Sequence, residues 1–515
     1  MTTVSDRPSP YLQRRLPIAV PFAYFLAAFL LLQTYYLLLP LGLGTGLLLY
    51  PVITLVVAAG TGTVGLWGGR LLLPVLWVVA AVLQNVLIGV YLNGAPEVFD
   101  RLLLPLFEIK SVILFFAFGA LIVVAGLSFN RLPIRVGDAV FAAFLLLVLF
   151  AFFHSPAPLV ARLSYLRNFT AFVLLYLLGK WLNLNPEDRR RFLGFLVFAV
   201  GGTLTMMSIV DLLWPHVWPR LLSIDRIEAA KGPISQFSDF LGSHLRRLKS
   251  GVGEPVNAGY LFACLTLVAL CARHRVWATL FGIQLILTFA KGPMLICGVG
   301  VLLWAYVRLA RIRGFIPSPT IWIWVLVGVL GGSGVYVILT SLSRSFTATS
   351  TWWHFVGLAH GLINMVGQPM GQGLGTGGNY RDVAGFIGAA ARPEESQWIG
   401  SGAESAIGVV GTQLGIPGLA LFALALIVMV RNCWRSLSLS VTTGGPELTL
   451  ATVACGGLGG ICLTSFLQES ALSPQAAGLF FLVAGMSSAK LTEPSRSAVG
   501  SDAPSPASSS SSRVR

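Results

Sequence analysis

Hydrophobic residues fall along this chain in long unbroken runs, separated by shorter polar and basic turns. The runs cover roughly 17–39, 43–60, 71–92, 108–128, 138–153, 168–184, 192–214, 257–272, 276–290, 293–309, 320–340, 404–430, 447–466 and 474–489. Most approach the roughly 20 residues that carry a helix across about 30 Å of hydrocarbon. They lack the apolar–polar alternation of an outer-membrane barrel, so helices are the spanning element that the pattern predicts. The expected fold is an all-α polytopic integral membrane protein of about fourteen transmembrane helices.

Two polar stretches, 215–256 and 341–403, are longer than a connector requires. Counting from a cytoplasmic N-terminus, the short turns on the inner side hold Arg70, Arg131 and Arg135, Arg189 to Arg191, Arg273 and Arg275, Arg308 with Arg311 and Arg313, and Arg431 with Arg435. That is the positive-inside pattern, and it predicts cytoplasmic termini with both long loops on the outer face. The implied organisation is a segment 1–16, a transmembrane domain 17–490 carrying the outer loops, and a tail 491–515. The tail is rich in Ser, Pro and Ala and is expected to be disordered. No small-residue cleavage site follows the first apolar run, so a retained first helix is expected and not a cleaved signal.

Composition sharpens this picture. Charged residues make up only 11% of the chain, against about 25% in a soluble domain, and the mean hydropathy is +0.79. A lipid bilayer is therefore the first partner expected. The formal net charge of +15 could suggest nucleic acid, but the basic residues sit in turns between apolar runs, so no nucleic-acid role is expected. The six cysteines lie within or at the ends of apolar runs without metal-site spacing, and no structural disulfide is expected.

The candidate chemistry gathers in the outer segments. In RRLKSGVGEPVNAGYLFA, residues 246–263, Arg246, Arg247 and Lys249 stand before a helix start shaped by Gly251, Gly253 and Pro255. Guanidinium forks beside a helix N-terminus suit a phosphate group, and a lipid headgroup would satisfy the same cluster. Lys291, in LTFAKGPML, is a lone charge between two apolar runs; it either snorkels to the interface or serves a function. Arg167 is a further anion-binding candidate before the sixth run, again with a headgroup contact as the alternative. In the large loop, His354 follows Trp352 and Trp353 and could act as a base or phosphate donor. It stands six residues from His360, a poor spacing for one helix face, so no metal site is expected. Gly373, Gly375 and Gly378 form a G-x-G-x-x-G without the preceding strand that a dinucleotide site needs. They either bring backbone N–H groups to a ligand or fold the loop tightly. Glu404, at the start of the twelfth run, is either a helix cap or a base facing an outer acceptor.

In their order these segments resemble the O-antigen ligase and polymerase superfamily of bacterial membrane glycosyltransferases. Arg247 precedes Pro255 and Asn257 as in the family's R…G…PN segment, with Ser250 where a glycine is common. Ala290–Lys291–Gly292 looks like its Ser-Arg-Gly with lysine for arginine, and the passage from Trp352 to Gly378 is similar to its W…P-x-G-x-G-x-G. QLGIPGL, from Gln413, resembles e-x-G-i-x-G-l, while Glu404–Ser405 stands where ligases usually carry His-Asn.

The resemblance implies a GT-C-like enzyme of the bacterial inner membrane whose donor is a glycan on undecaprenyl diphosphate. Arg247 and Lys291, with Arg246 and Arg167 as further candidates, would hold the diphosphate. Glu404, or His354, would accept the acceptor's proton, and transfer would invert the anomeric carbon. No cofactor or metal is expected, since the outer loops carry no D-x-D pair; a chain-length regulator is a possible partner. Polymerase and ligase break the same bond, and the absent His-Asn leans towards the polymerase. The competing class is a transporter or flippase for an anionic or lipid-linked substrate, which would need ionisable residues along a midplane route.

Overall fold

The computed structural model describes residues 71–94, 136–215, 220, 237–240, 243–329, 350–378 and 405–489. The expected spans 17–39, 43–60 and 108–128, the segment 1–16, the tail 491–515 and Glu404 lie outside these residues. The described chain is helical apart from one short hairpin. In order it contains α1 (Leu72–Gly94), α2 (Val136–His154), α3 (Leu159–Trp181), α4 (Pro186–Leu213), β1 (Phe237–Phe240), β2 (Ser243–Arg246), α5 (Pro255–Cys271), α6 (Arg275–Leu287) and α7 (Lys291–Arg313). There follow α8 (Pro319–Val329), α9 (Ser350–Gly367), α10 (Ala406–Thr443), α11 (Gly445–Thr464), a 3₁₀ turn (Glu469–Leu472) and α12 (Gly478–Ser488). Among the described residues, five helices are long and apolar enough to cross a membrane: Gly137–His154, Pro186–Leu213, Lys291–Arg313, Ala406–Thr443 and Gly445–Thr464. The chain is thus built as a helical membrane protein.

Local sequence sets the helix ends. Pro186 and Pro255 occupy first-turn positions where a missing N–H is harmless, and the Asn185 side chain accepts from Asp188 N at 2.7 Å. Gly314, at φ +69°, closes α7 behind Arg311 and Arg313, the left-handed cap that glycine adopts readily.

Two expected boundaries shift. Helix α3 begins at Leu159, not near 168, so Arg162 and Arg167 are helical residues and not loop residues. The Arg162 guanidinium lies 5.5 Å from the Phe152 ring centroid, so the charge is accommodated beside the helix. Helix α10 likewise continues past 430 through Arg431 and Arg435 to Thr443. Charge marks the edge of the apolar layer, and a helix can continue beyond it. Two segments read as loop also hold structure: 215–256 includes the β1–β2 hairpin, and 341–403 includes α9.

Small residues bring the helices together. A side chain at Gly179 of α3 would meet the α12 backbone, one at Gly456 of α11 would meet Gly300 of α7, and one at Gly361 of α9 would meet Gly408 of α10. Without a hydrophobic drive between helices in lipid, such close approach supplies the packing. Helices α5, α11 and α12 form the interior, whereas Phe153, Met206 and Ile312 project outward as an apolar surface suited to lipid.

The bundle has two ends of different character. At one end, where α2, α4 and α11 begin and α3 finishes, Lys180 Nζ donates to Asp138 Oδ1 at 2.6 Å and Oδ2 at 2.7 Å. Arg189 lies 3.9 Å from Glu447 there. All four residues are buried, and each charge is set against an opposite one. The opposite end gathers the starts of α3, α5, α7, α10 and α12, and it holds the candidate chemistry.

Candidate functional site

The hairpin delivers Arg246 and Arg247 to this end. Phe237 pairs with Arg246 at the close of β2, and the chain then turns through residues 247–254 into α5. Asp211, buried in the last turn of α4, organises that turn. It accepts from Arg246 Nη2 at 2.7 Å, from Lys249 N at 2.8 Å and from Ser250 N at 3.2 Å. Arg246 also donates to the carbonyls of Asp211 and Pro215. Its charge is therefore directed into the scaffold. Lys249 is fully buried behind the turn. Ser250 has a left-handed φ of +48°, a position where a side chain is strained. Its Oγ donates to Leu204 O at 2.8 Å, which helps to hold that conformation. The Asn85 amide of α1 donates to the Val252 carbonyl and ties the turn to the bundle.

Arg247 points the other way. Its Nε donates to Thr288 O at 2.8 Å, which lays the guanidinium across the link between α6 and α7. Lys291 is three residues on, exposed at the first position of α7, and close enough to feel the Arg247 charge. A cation at a helix N-terminus opposes the helix dipole, and here a second cation faces it. Partial burial pushes the Arg247 guanidinium below its ordinary pKa, with the nearby Glu254 carboxylate acting in the opposite sense. Arg247 remains a cation at neutral pH, as arginine does in proteins.

Glu254 is the residue at this site that sequence reasoning passed over. It stands at the N-cap of α5, half-buried, and its Oε2 accepts from Asn257 Nδ2 at 2.6 Å. Asn257 Nδ2 also lies 3.3 Å from Gln475 Oε1, in the link before α12. The available signal was Pro255, a residue favoured at the first helical position, which makes the preceding Glu254 the N-cap position.

A second cluster adjoins the first. Gln468 packs against Gly292, the neighbour of Lys291, so closely that a side chain on Gly292 would run into it. Gln468 Oε1 accepts from Tyr260 Oη at 3.3 Å. The next residue, Glu469, is buried, and its Oε1 accepts from Tyr165 Oη of α3 at 2.6 Å. Neither Tyr165 nor Glu469 stood out in the sequence, because each is an isolated polar residue whose partner lies far along the chain.

The glycine loop is held by a broken helix. Helix α10 has a non-helical residue at Gly415, φ +67°, followed by Pro417. Pro417 has no N–H to give Gln413 O, and Ile416 N donates to Pro369 O instead of to Thr412 O. The two released carbonyls accept from the loop, Thr412 O from Gln372 N at 2.9 Å and Gln413 O from Gly373 N at 3.0 Å. The Gln413 side chain completes the joint, accepting from Gly375 N at 2.9 Å and donating to Gly377 O at 2.7 Å. Gly373, Gly375 and Gly378 have φ values of +94°, +80° and +83° and press on Ser155, Ala161 and Tyr165. Only glycine meets both demands. The amides of Gly373 and Gly375 are thus committed to Gln413, and the loop abuts the Tyr165–Glu469 pair.

The remaining candidates are spread out. Arg167 lies along α3, with Nε donating to Asn168 Oδ1 at 3.1 Å. His354 is half-buried near the start of α9, and His360 is exposed further along it. The start of α10 is capped by Ser405, whose Oγ accepts from Gly408 N at 3.1 Å. The structure therefore brings together Arg247, Lys291 and Glu254, with Gln468 and Glu469 beside them, and sets Arg246 behind them on Asp211. No protein-family model and no curated protein matches the sequence.

Proposed function

We propose that the chain is a membrane glycosyltransferase that moves a glycan from an undecaprenyl-diphosphate donor on the outer face of the bacterial inner membrane. The observation that carries this reading is the juxtaposition of Arg247, in the turn that leads into α5, with Lys291 at the start of α7. Two cations and two helix N-termini converge there, and a diphosphate is the ligand chemistry that would relieve their mutual repulsion. Bound in this place, the phosphates would sit beside the apolar flank of the bundle, which suits a lipid-linked donor. As the bond to the anomeric carbon breaks, charge develops on the leaving diphosphate, and fixed cations stabilise it without reorganisation. The fold proposed with this activity is a GT-C-like bundle of about fourteen spans, with cytoplasmic termini and the site on the outer side. Within the pair of possible reactions, polymerisation is the proposed one.

Transport of an anionic substrate is the alternative. Against it, Lys180, Asp138, Arg189 and Glu447 are paired near helix ends, and do not line a route through midspan.

The test is complementation of a strain lacking the protein with wild type, Arg247→Ala and Lys291→Ala at matched membrane levels. Loss of polymer with single lipid-linked units accumulating on the outer leaflet supports polymerisation. Accumulation of finished lipid-linked polymer indicates the ligase instead. Units retained on the inner leaflet point to transport, and wild-type behaviour of both variants rejects the site.

A further inference from the structure

A row of uncharged hydrogen-bonding side chains links the surroundings of the two cations. Asn257 and Tyr260 stand three residues apart on α5, and therefore on one face of it. The link between α11 and α12 lays Gln475 against the first and Gln468 against the second. Asn257 Nδ2 lies 3.3 Å from Gln475 Oε1, while Gln468 Oε1 accepts from Tyr260 Oη at 3.3 Å and from Ser470 Oγ at 3.4 Å. Through Asn257 the row meets Glu254, beside Arg247; through Gln468 it meets Gly292, beside Lys291.

These side chains are not fully spent on one another. Glu254 Oε2 accepts from Asn257 Nδ2 at 2.6 Å, which fixes the donor side of the Asn257 amide towards Gln475. Gln475 therefore meets it with oxygen, and its Nε2 is left over. That side chain is only 8% exposed, and its Nε2 has no hydrogen-bond partner. In Gln468, which is half-buried, the oxygen is likewise the side-chain atom engaged. Interhelical packing accounts for the two oxygens, but it leaves the amide donors unexplained. A buried donor without an acceptor is costly, and an oxygen-rich ligand would meet it.

Resting on the transferase reading, we propose that this row is the subsite for the sugar that carries the diphosphate. With the phosphates on Arg247 and Lys291, the first sugar ring lies against Gln468 and Gln475, whose amide N–H groups donate to its hydroxyl or ring oxygens. Neutral amides hold those oxygens without competing with the cations for the phosphates. The cations thus hold the lipid diphosphate, and the row selects the glycan attached to it. A lipid diphosphate without its sugar forgoes these hydrogen bonds and binds more weakly.

The experiment compares two probes on the full-length protein in nanodiscs: undecaprenyl diphosphate, and the undecaprenyl-diphosphate-linked unit purified from membranes of a strain lacking the protein. Wild type should bind the glycan-bearing probe about tenfold or more tighter, the scale of two added hydrogen bonds. Gln475→Met and Gln468→Met keep the side-chain length and remove the amide. Each should lower that ratio to about threefold or less, while binding undecaprenyl diphosphate within about threefold of wild type. Equal binding of the two probes by wild type overturns the proposal without recourse to any variant. So does a ratio unchanged in both variants, or a parallel loss of both probes in both, which would make the row helix packing alone. Failure of the transferase reading looks different: no lipid-linked unit accumulates in the strain, or wild type binds neither probe. Either result removes the site on which the inference stands.

Discussion

Gln413→Leu tests whether the helix break and the glycine loop form one structural unit. The side chain is fully buried and carries two hydrogen bonds to the loop, from Gly375 N and to Gly377 O. Leucine is similar in size but removes both, leaving two buried backbone groups without that partner. Each orphaned group costs about 1–3 kcal/mol, and the added apolar contact returns part of this, so the net loss is about 2–4 kcal/mol. The loss should be local, because the carbonyls of Thr412 and Gln413 still accept from Gln372 and Gly373. Hydrogen exchange on the protein in nanodiscs should show faster exchange across 372–378, with α11 and α12 protected as in wild type. The reasoning is refuted if exchange across 372–378 is unchanged, or if α11 and α12 lose protection equally. The first result would mean that the loop is held by its glycine contacts alone, the second that the joint supports the whole bundle.

Two further perturbations follow from the charges. Lys180→Met should destabilise the protein by about 3–5 kcal/mol by leaving Asp138 buried without its partner, and the double variant with Asp138→Leu should recover most of that loss in detergent thermal-unfolding curves. Asp211→Asn should cost about 2–3 kcal/mol, since charge-assisted bonds to Arg246 and two amides weaken together; proteolysis should then accelerate within 246–254, while the Lys180–Asp138 end keeps its protection.

The helical part of the architecture was legible because hydrophobic run length translates directly into helix in a membrane. Its boundaries were less so, since Arg162 and Arg167 precede an apolar run, and Arg431 and Arg435 follow one, while all four stand inside helices. Arg247 and Lys291 were legible as charges standing where apolar runs meet, and Pro255 marked the helix that receives them. What the sequence could not show was commitment. Arg246 and Arg247 are adjacent and chemically alike, yet one is held by Asp211 and the other lies over Thr288. That division depends on the direction of the hairpin and on a carboxylate 35 residues earlier. The glycine loop was similarly ambiguous between ligand binding and tight folding, and only the carbonyls released at Gly415 and Pro417 show where its amides go.

The anchoring of Arg247 gives the proposed transfer an electrostatic advantage. Bond cleavage increases the charge on the departing diphosphate, while the guanidinium stays fixed on Thr288 O. A preorganised cation that faces the developing charge without moving is worth most in a site shielded from water. Lys291, at the first position of α7, adds attraction for the diphosphate. On this account, Arg247→Lys should harm transfer more than binding: lysine keeps the charge, but lacks the fork that can hold Thr288 O and meet the phosphates at once. Equal losses in probe binding and polymer formation would refute that division of roles.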